Sequence, residues 1–293
     1  MVTRHEVDDE GLVGVLLLPD GDGPHPGAVV LGGSRGGVRE ELAARLAEHG
    51  LVTLALAYFG AGGLTPAIVE VPLEYVETAA SWLARHPAVR RPLVGMVGGS
   101  KGAELALLAA SRFPHLIGPV VAIAPASVVF FGLDRQADDA SALLRSSWSH
   151  HGRPVPFAAY PSRAQPVVSD AGLAVAPIYE AVLDDEEAAA AGIPVEQARG
   201  PFLLVSGADD RMWPSARMAE MIVARLGGHG RSADVTHLSY PGAGHQLLGA
   251  AAAEPPTSGG RVAFDYGGTA EGDARARDDA WDQAAGFLHR HLP

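Results

Sequence analysis

The chain has 293 residues, enough to bury a large core either as one α/β domain with an insertion or as two smaller domains. A formal net charge of -12 argues against nucleic acid or an anionic membrane surface as a partner. The absence of cysteine removes disulfides, thiolate zinc sites and a cysteine nucleophile together.

Taken in chain order, Val7 and Val13 to Leu18 flank Asp8-Asp9-Glu10-Gly11 and predict a hairpin. After the loop Pro24-His25-Pro26, Gly27 to Leu31 reads as a buried strand ending in Gly32-Gly33-Ser34-Arg35-Gly36-Gly37. The spacing of Val38, Leu42 and Leu46 predicts a helix that stops near Gly50. Leu51 to Ala57 is a continuous apolar strand, the kind buried on both faces in a parallel sheet with helices on each side. Pro72 stands where a first helical residue would be, and Leu73, Val76, Ala80 and Leu83 continue at helical spacing.

Val94 to Val97 leads into Gly98-Gly99-Ser100-Lys101-Gly102, followed by an amphipathic run with Leu105 and Leu108 on one side. Strand, sharp turn and helix in this order present Ser100 at the C-terminal edge of a sheet and at the positive end of a helix, where an oxyanion is stabilised. A phosphate-binding loop is excluded because the Gly-Lys-Ser/Thr order is absent. Glu104 is expected to stabilise the first turn of this helix. Lys101 is the only lysine of the chain, which reads as compositional bias.

Residues 126–200 break the regular alternation with aromatics, prolines and glycines, and predict a lid or cap with short elements of its own. Alternation resumes with Phe202 to Ser206, a helix from about Ser215 to Leu226, the strand Val235 to Tyr240 and a last helix using Trp281, Ala285 and Leu288. Gly249 to Asp273 reads as a loop. The N-terminal residues lack the basic and apolar regions of a signal peptide, and no apolar run approaches the about 18–20 residues that cross a bilayer, so a cytoplasmic location is expected.

A serine hydroxyl needs a base within hydrogen-bond reach and a third group to orient that base. In the α/β arrangement these follow the nucleophile on loops after later strands, in the order Ser, acid, His. Gly207-Ala208-Asp209-Asp210 follows one such strand and Pro241-Gly242-Ala243-Gly244-His245 the next. Asp210, on the far side of its turn, is the expected acid, and Asp209 is expected to meet backbone amides or an arginine. The oxyanion hole is expected to use the backbone N–H groups of Lys101 and Ser34, with Gly33 as the next choice.

Phe130, Phe131 and Trp148 are candidates to line an acyl pocket, with core packing an equal alternative. His150 and His151 are adjacent, so in a regular helix or strand they diverge; no metal site and no cofactor is expected.

The segments Leu54 to Phe59, Pro72 to Tyr75, Gly98 to Leu107 and Ser239 to His245 resemble the catalytic domain of the acyl-CoA thioesterase and bile acid-CoA:amino acid N-acyltransferase family, from about Gly27 onward. The resemblance implies an α/β-hydrolase fold in residues 1–293: a mostly parallel eight-stranded sheet, helices on both faces and the insertion at 126–200. It also implies a covalent acyl-enzyme formed from a small-molecule acyl thioester or ester. The amino-acid-transferring members use Cys where Ser100 stands, so the resemblance favours hydrolysis over transfer. Larger members carry an N-terminal β-sandwich domain; with about 26 residues before the match, that domain is expected to be missing here. Binding CoA phosphates would take a local arginine cluster, for which Arg35, Arg39, Arg145, Arg153 and Arg163 are candidates.

Overall fold

Strand parity sorts the sheet residues into two cores. In Gly27–Leu31, Val29 and Leu31 join one apolar cluster while Ala28 and Val30 join the other. The same alternation divides Phe202 and Leu204 from Leu203 and Val205, because successive side chains of a strand face opposite sides of its sheet. Both sides must therefore be covered by helices. The computed structural model describes residues 2–90, 92–134, 140–161, 164–249 and 263–292, and this layering organises them.

The central sheet has eight strands: β1 (Thr3–Val7), β2 (Val13–Leu18), β3 (Gly27–Leu31), β4 (Val52–Ala57), β5 (Val94–Gly99), β6 (Ile117–Ile123), β7 (Phe202–Gly207) and β8 (Val235–Tyr240). Their spatial order is β1-β2-β4-β3-β5-β6-β7-β8. The pairings of β1 with β2 and of β2 with β4 are antiparallel, and every later pairing is parallel. This is an α/β-hydrolase sheet.

The helices are α1 (Glu40–Glu48), α2 (Leu73–Arg85), α3 (Lys101–Arg112), α4 (Ala176–Leu183), α5 (Ser215–Gly228) and α6 (Ala270–His291). α2, α3 and α5 send Leu73, Leu105 and Ile222 into the first core, while α1 and α6 send Leu42 and Trp281 into the second. Each fully buried Leu or Val side chain contributes about 1.5–3 kcal/mol. Pro72 caps α2 from outside and pairs, with Val71, against Trp148–His150; it does not open the helix. No helix of the described residues is long and apolar enough to cross a membrane.

Segment 126–200 contains a three-strand patch built with Val71–Pro72, a hairpin of Val167–Ser169 with Gly172–Ala174, and α4. A third apolar cluster joins it to the loop and helix after β7 through Phe130, Phe131, Ile178, Trp213 and Met218.

Beneath this segment lies a buried ion pair. Lys101 Nζ stands 2.6 Å from Glu104 Oε2, with only 2% and 0% of the two side chains exposed. Lys101 also donates to Ser147 Oγ at 2.7 Å, and its ammonium lies 5.2 Å from the Trp148 ring centre. Glu104 accepts from Trp148 Nε1 at 2.7 Å and from the Phe130 N–H at 3.1 Å. Burial pulls Lys101 below the usual ammonium value and pushes Glu104 above the usual carboxyl value, and their mutual attraction opposes both shifts. Glu104 thus pairs with Lys101 inside the first turn of α3, and does so from a fully buried position. It ties the first turn of α3 to residues 130–148, and the one lysine of the chain is its counter-ion.

Removing one partner strands the other charge in the core. Glu104→Ala is expected to lower unfolding free energy by about 3–5 kcal/mol in urea titration, and Lys101→Met with Glu104→Leu to recover much of the loss.

Candidate active site

The turn after β5 allows only small residues around Ser100. A Cβ on Gly98 would stand 2.1 Å from the Gly102 carbonyl oxygen, and one on Gly102 would stand 2.2 Å from that of Gly32. Ser100 itself holds φ 54, ψ -122, a backbone state that costs a non-glycine residue about 1–3 kcal/mol. Its N–H donates to the Ile123 carbonyl, and its own carbonyl accepts from the N–H groups of Ala103 and Glu104. The serine side chain is thereby lifted off the sheet edge at the start of α3.

The loops after β7 and β8 meet it there. His245 Nε2 lies 3.0 Å from Ser100 Oγ, and His245 Nδ1 lies 2.9 Å from Asp210 Oδ2. The Asp210 carboxylate is 2% exposed, with full use of its oxygens: Oδ1 accepts from the N–H groups of Met212 and Trp213, and Oδ2 accepts from Ser215 Oγ as well. Three donors besides the imidazole compensate the burial of this charge. Asp209 turns the other way and accepts from the Gly242 N–H at 2.8 Å, which binds the two loops together.

A segment that reads in the sequence as part of a featureless loop completes this arrangement. The Tyr266 carbonyl accepts from the His245 N–H at 2.9 Å, and the Tyr266 ring stacks on the imidazole with centres 6.4 Å apart. Gly267, at φ 69, bridges to Asp210, and a Cβ there would fall 1.8 Å from the Asp209 carbonyl oxygen. Trp213 covers the imidazole edge at 5.8 Å. The dipeptide Gly267-Gly268, both residues with positive φ, is the signal in the sequence that a chain passes close to another backbone here. Residues 250–262 of the same loop lie outside the described residues.

Ser100 and His245 open into a cavity of about 390 Å³ that Ser34 and Lys101 also line. The loop carrying Ser34 is fixed by the Tyr58 hydroxyl, which donates to the Gly32 carbonyl at 2.9 Å. A Cβ on Gly33 would come within 3.4 Å of Ser100 Cβ, so this loop runs directly beside the serine. The cavity wall is largely apolar, with Phe131, Leu143, Leu173, Ile178 and Phe264, and Arg35 and Arg39 also line it.

Two aromatic candidates are placed elsewhere. Phe130 and Trp148 are both fully buried and do not line the cavity; Phe131 does. The Phe130 and Phe131 rings meet edge-on with centres 6.2 Å apart and both pack on Tyr179, but only Phe131 lines the opening. Phe130 packs on Tyr179 and Trp213, while Trp148 is held by Glu104. Among the arginines, Arg145 pairs with Glu70, Arg153 sits on the exposed strand Arg153–Pro154, and Arg163 lies outside the described residues.

The histidines at 150 and 151 do not diverge. Their ring centres are 4.0 Å apart and tilted by 31°, and Glu74 lies beside both. His151 has φ 51 and Gly152 φ 69, the left-handed pair of a two-residue hairpin turn, which reverses the alternation expected of a regular strand.

A family model described as BAAT / acyl-CoA thioester hydrolase C terminal matches residues 71–293. Acyl-coenzyme A amino acid N-acyltransferase 2 of Mus musculus is 32% identical over 302 residues, covering 99% of this chain and 66% of that protein. Acyl-coenzyme A thioesterase 1 of Homo sapiens is 31% identical over 302 residues, again with 99% of this chain and 66% of the relative. The chain therefore spans just under two thirds of the length of these relatives. Among solved structures, a dienelactone hydrolase from Anabaena variabilis superposes with a TM-score of 0.54 at 18% identity, covering 100% of this chain and 99% of that one. At that identity the likeness is one of fold.

Gly267→Ala tests the strap across the acid and histidine loops. It adds a Cβ in backbone contact at a left-handed position and is expected to cost at least about 1–2 kcal/mol, read as a lower melting temperature, whereas Gly63→Ala, with open space around it, is expected to cost no more than the left-handed conformation itself.

Proposed function

The chain belongs to the BAAT / acyl-CoA thioester hydrolase C-terminal family, and on that premise we propose that it is a serine hydrolase cleaving an acyl thioester of the acyl-CoA kind. The observation that carries the reading is the pair of His245 contacts, 3.0 Å to Ser100 Oγ and 2.9 Å to Asp210 Oδ2. In this reading His245 takes the Ser100 proton as Oγ bonds to the thioester carbonyl carbon. The resulting oxyanion sits against the N–H groups of Lys101 and of the Ser34 loop. Collapse breaks the carbon–sulfur bond, and the imidazolium returns its proton to the departing thiolate. A water then gives a proton to His245 as its oxygen bonds to the acyl carbon; collapse breaks the bond from that carbon to Oγ, His245 returns the proton to Oγ, and the free acid leaves with Ser100 restored. Asp210 holds the imidazole tautomer throughout by accepting from Nδ1.

The apolar cavity wall suits an acyl chain, and segment 126–200 acts in this reading as a lid within a single α/β-hydrolase domain. Water is favoured over an amine as acyl acceptor because an oxygen ester is less reactive toward amines than a thioester. The relatives named as N-acyltransferases keep transfer to an amino acid as the second reading.

Ser100→Ala is expected to reduce thiol release from acyl-CoA by more than about 10³-fold and to abolish labelling by a fluorophosphonate. Asp210→Asn is expected to lose roughly 10³–10⁴-fold in kcat, and Asp209→Asn far less. Unchanged turnover in Ser100→Ala would overturn the assignment. Supplying an amino acid with the acyl donor and finding conjugate in place of free acid would move the reading to transfer.

A further inference from the structure

Away from the cavity, the first turn of α2 faces the hairpin that joins Trp148–His150 to Arg153–Pro154. Glu74 Oε1 lies 3.3 Å from His151 Nδ1 and 3.9 Å from His150 Nε2. One ligand atom from each of the three residues falls within 4.8 Å of the other two. We propose that Glu74, His150 and His151 bind one divalent transition-metal ion of the zinc class, clamping α2 to this hairpin.

The donor set selects the ion. Two imidazole nitrogens and one carboxylate oxygen suit zinc, copper, nickel or cobalt better than calcium or magnesium, which prefer oxygen alone. Bonds of about 2.0 Å in a tetrahedral arrangement put ligand atoms about 3.3 Å apart. Of the three separations, His151 to Glu74 equals that value, His150 to Glu74 closes on it with a movement of less than an ångström, and the distance between the two imidazole ligand atoms is at most 4.8 Å, so the exposed His151 ring has the furthest to move. Three protein ligands leave the fourth position for water. The side chains of Glu74 and His150 are about one third exposed and that of His151 is 79% exposed, so an ion reaches them from solvent. The acidic balance of the chain attracts a cation.

The site is also set in place before any ion arrives. The left-handed turn at His151 and Gly152 brings the second imidazole to the same side as the first. The His151 N–H donates to Glu74 Oε1, and the Phe113 ring meets the His150 ring edge-on at 5.9 Å. None of the three residues lines the cavity beside Ser100, so the inference stands independently of the proposed hydrolysis.

Calorimetric titration of the chelator-treated full chain with zinc tests it without substrate. The expected result is one zinc per chain at this site, with Glu74→Gln and His150→Gln each weakening affinity by roughly tenfold or more, and His150→Gln with His151→Asn removing that zinc. Asparagine accepts the left-handed conformation, so His151→Asn keeps the turn while removing the ligand; equal circular-dichroism melts of the chelated forms verify this. Zinc is expected to raise the melting temperature of the parent chain and not that of the double variant. No uptake by the parent chain, or affinity and stoichiometry of the double variant within twofold of the parent, would overturn the proposal.

Discussion

Everything at the candidate active site depends on how close the backbones come beneath Ser100. Gly98 and Gly102 sit where a single methyl group would overlap main-chain atoms, and the cost of that overlap is what lets α3 start immediately after β5. A helix starting a residue later would place the serine elsewhere relative to the loops after β7 and β8. The positive φ of Ser100 is the local cost of this geometry, offset by the hydrogen bonds that its N–H and carbonyl make to β6 and to α3.

The second layer of support is electrostatic. The N–H of Lys101 belongs to the turn, while its side chain runs inward to Glu104, Ser147 and Trp148. One residue therefore lies beside the cavity at its backbone and meets Ser147 and Trp148 with its side chain. A buried ion pair satisfied on nearly every atom adds little net stability over an apolar pair, but it tolerates few alternative arrangements. It fixes residues 130–148 against the turn by direction as well as by contact. Lysine suits this place because its ammonium is a compact charge that meets a carboxylate, a hydroxyl and an indole face at once.

Loop-to-loop contacts decide the other side of the site. Asp209 holds Gly242, Asp273 at the start of α6 accepts from Gly244, and Tyr266 accepts from His245. Burial leads the causes that raise the Asp273 carboxyl above its usual value, against the pull of that N–H. The histidine is thus held from three directions by backbone contacts that do not involve its ring, which leaves both ring nitrogens for Ser100 and Asp210.

How much of this was legible from residues alone depended on the range of the interaction. Strand parity, helical spacing and glycine placement are local, so β5, α3, the loops at Asp210 and His245 and the layered sheet could all be read from neighbours in the chain. Phe130 and Trp148 were not separable from Phe131 as cavity residues, because an aromatic side chain has the same pattern whether it faces a pocket or a core. Burial of Glu104 and the strap at Tyr266 come from segments distant in sequence, and His150 and His151 share one side only because their turn is left-handed. The sequence by itself determined the order of elements and the residue types at the strand ends, since backbone sterics and hydrophobic periodicity act over a few residues. Tertiary structure alone decided which side chains share a space, because that follows from how separate segments close on one another, and no local period encodes it.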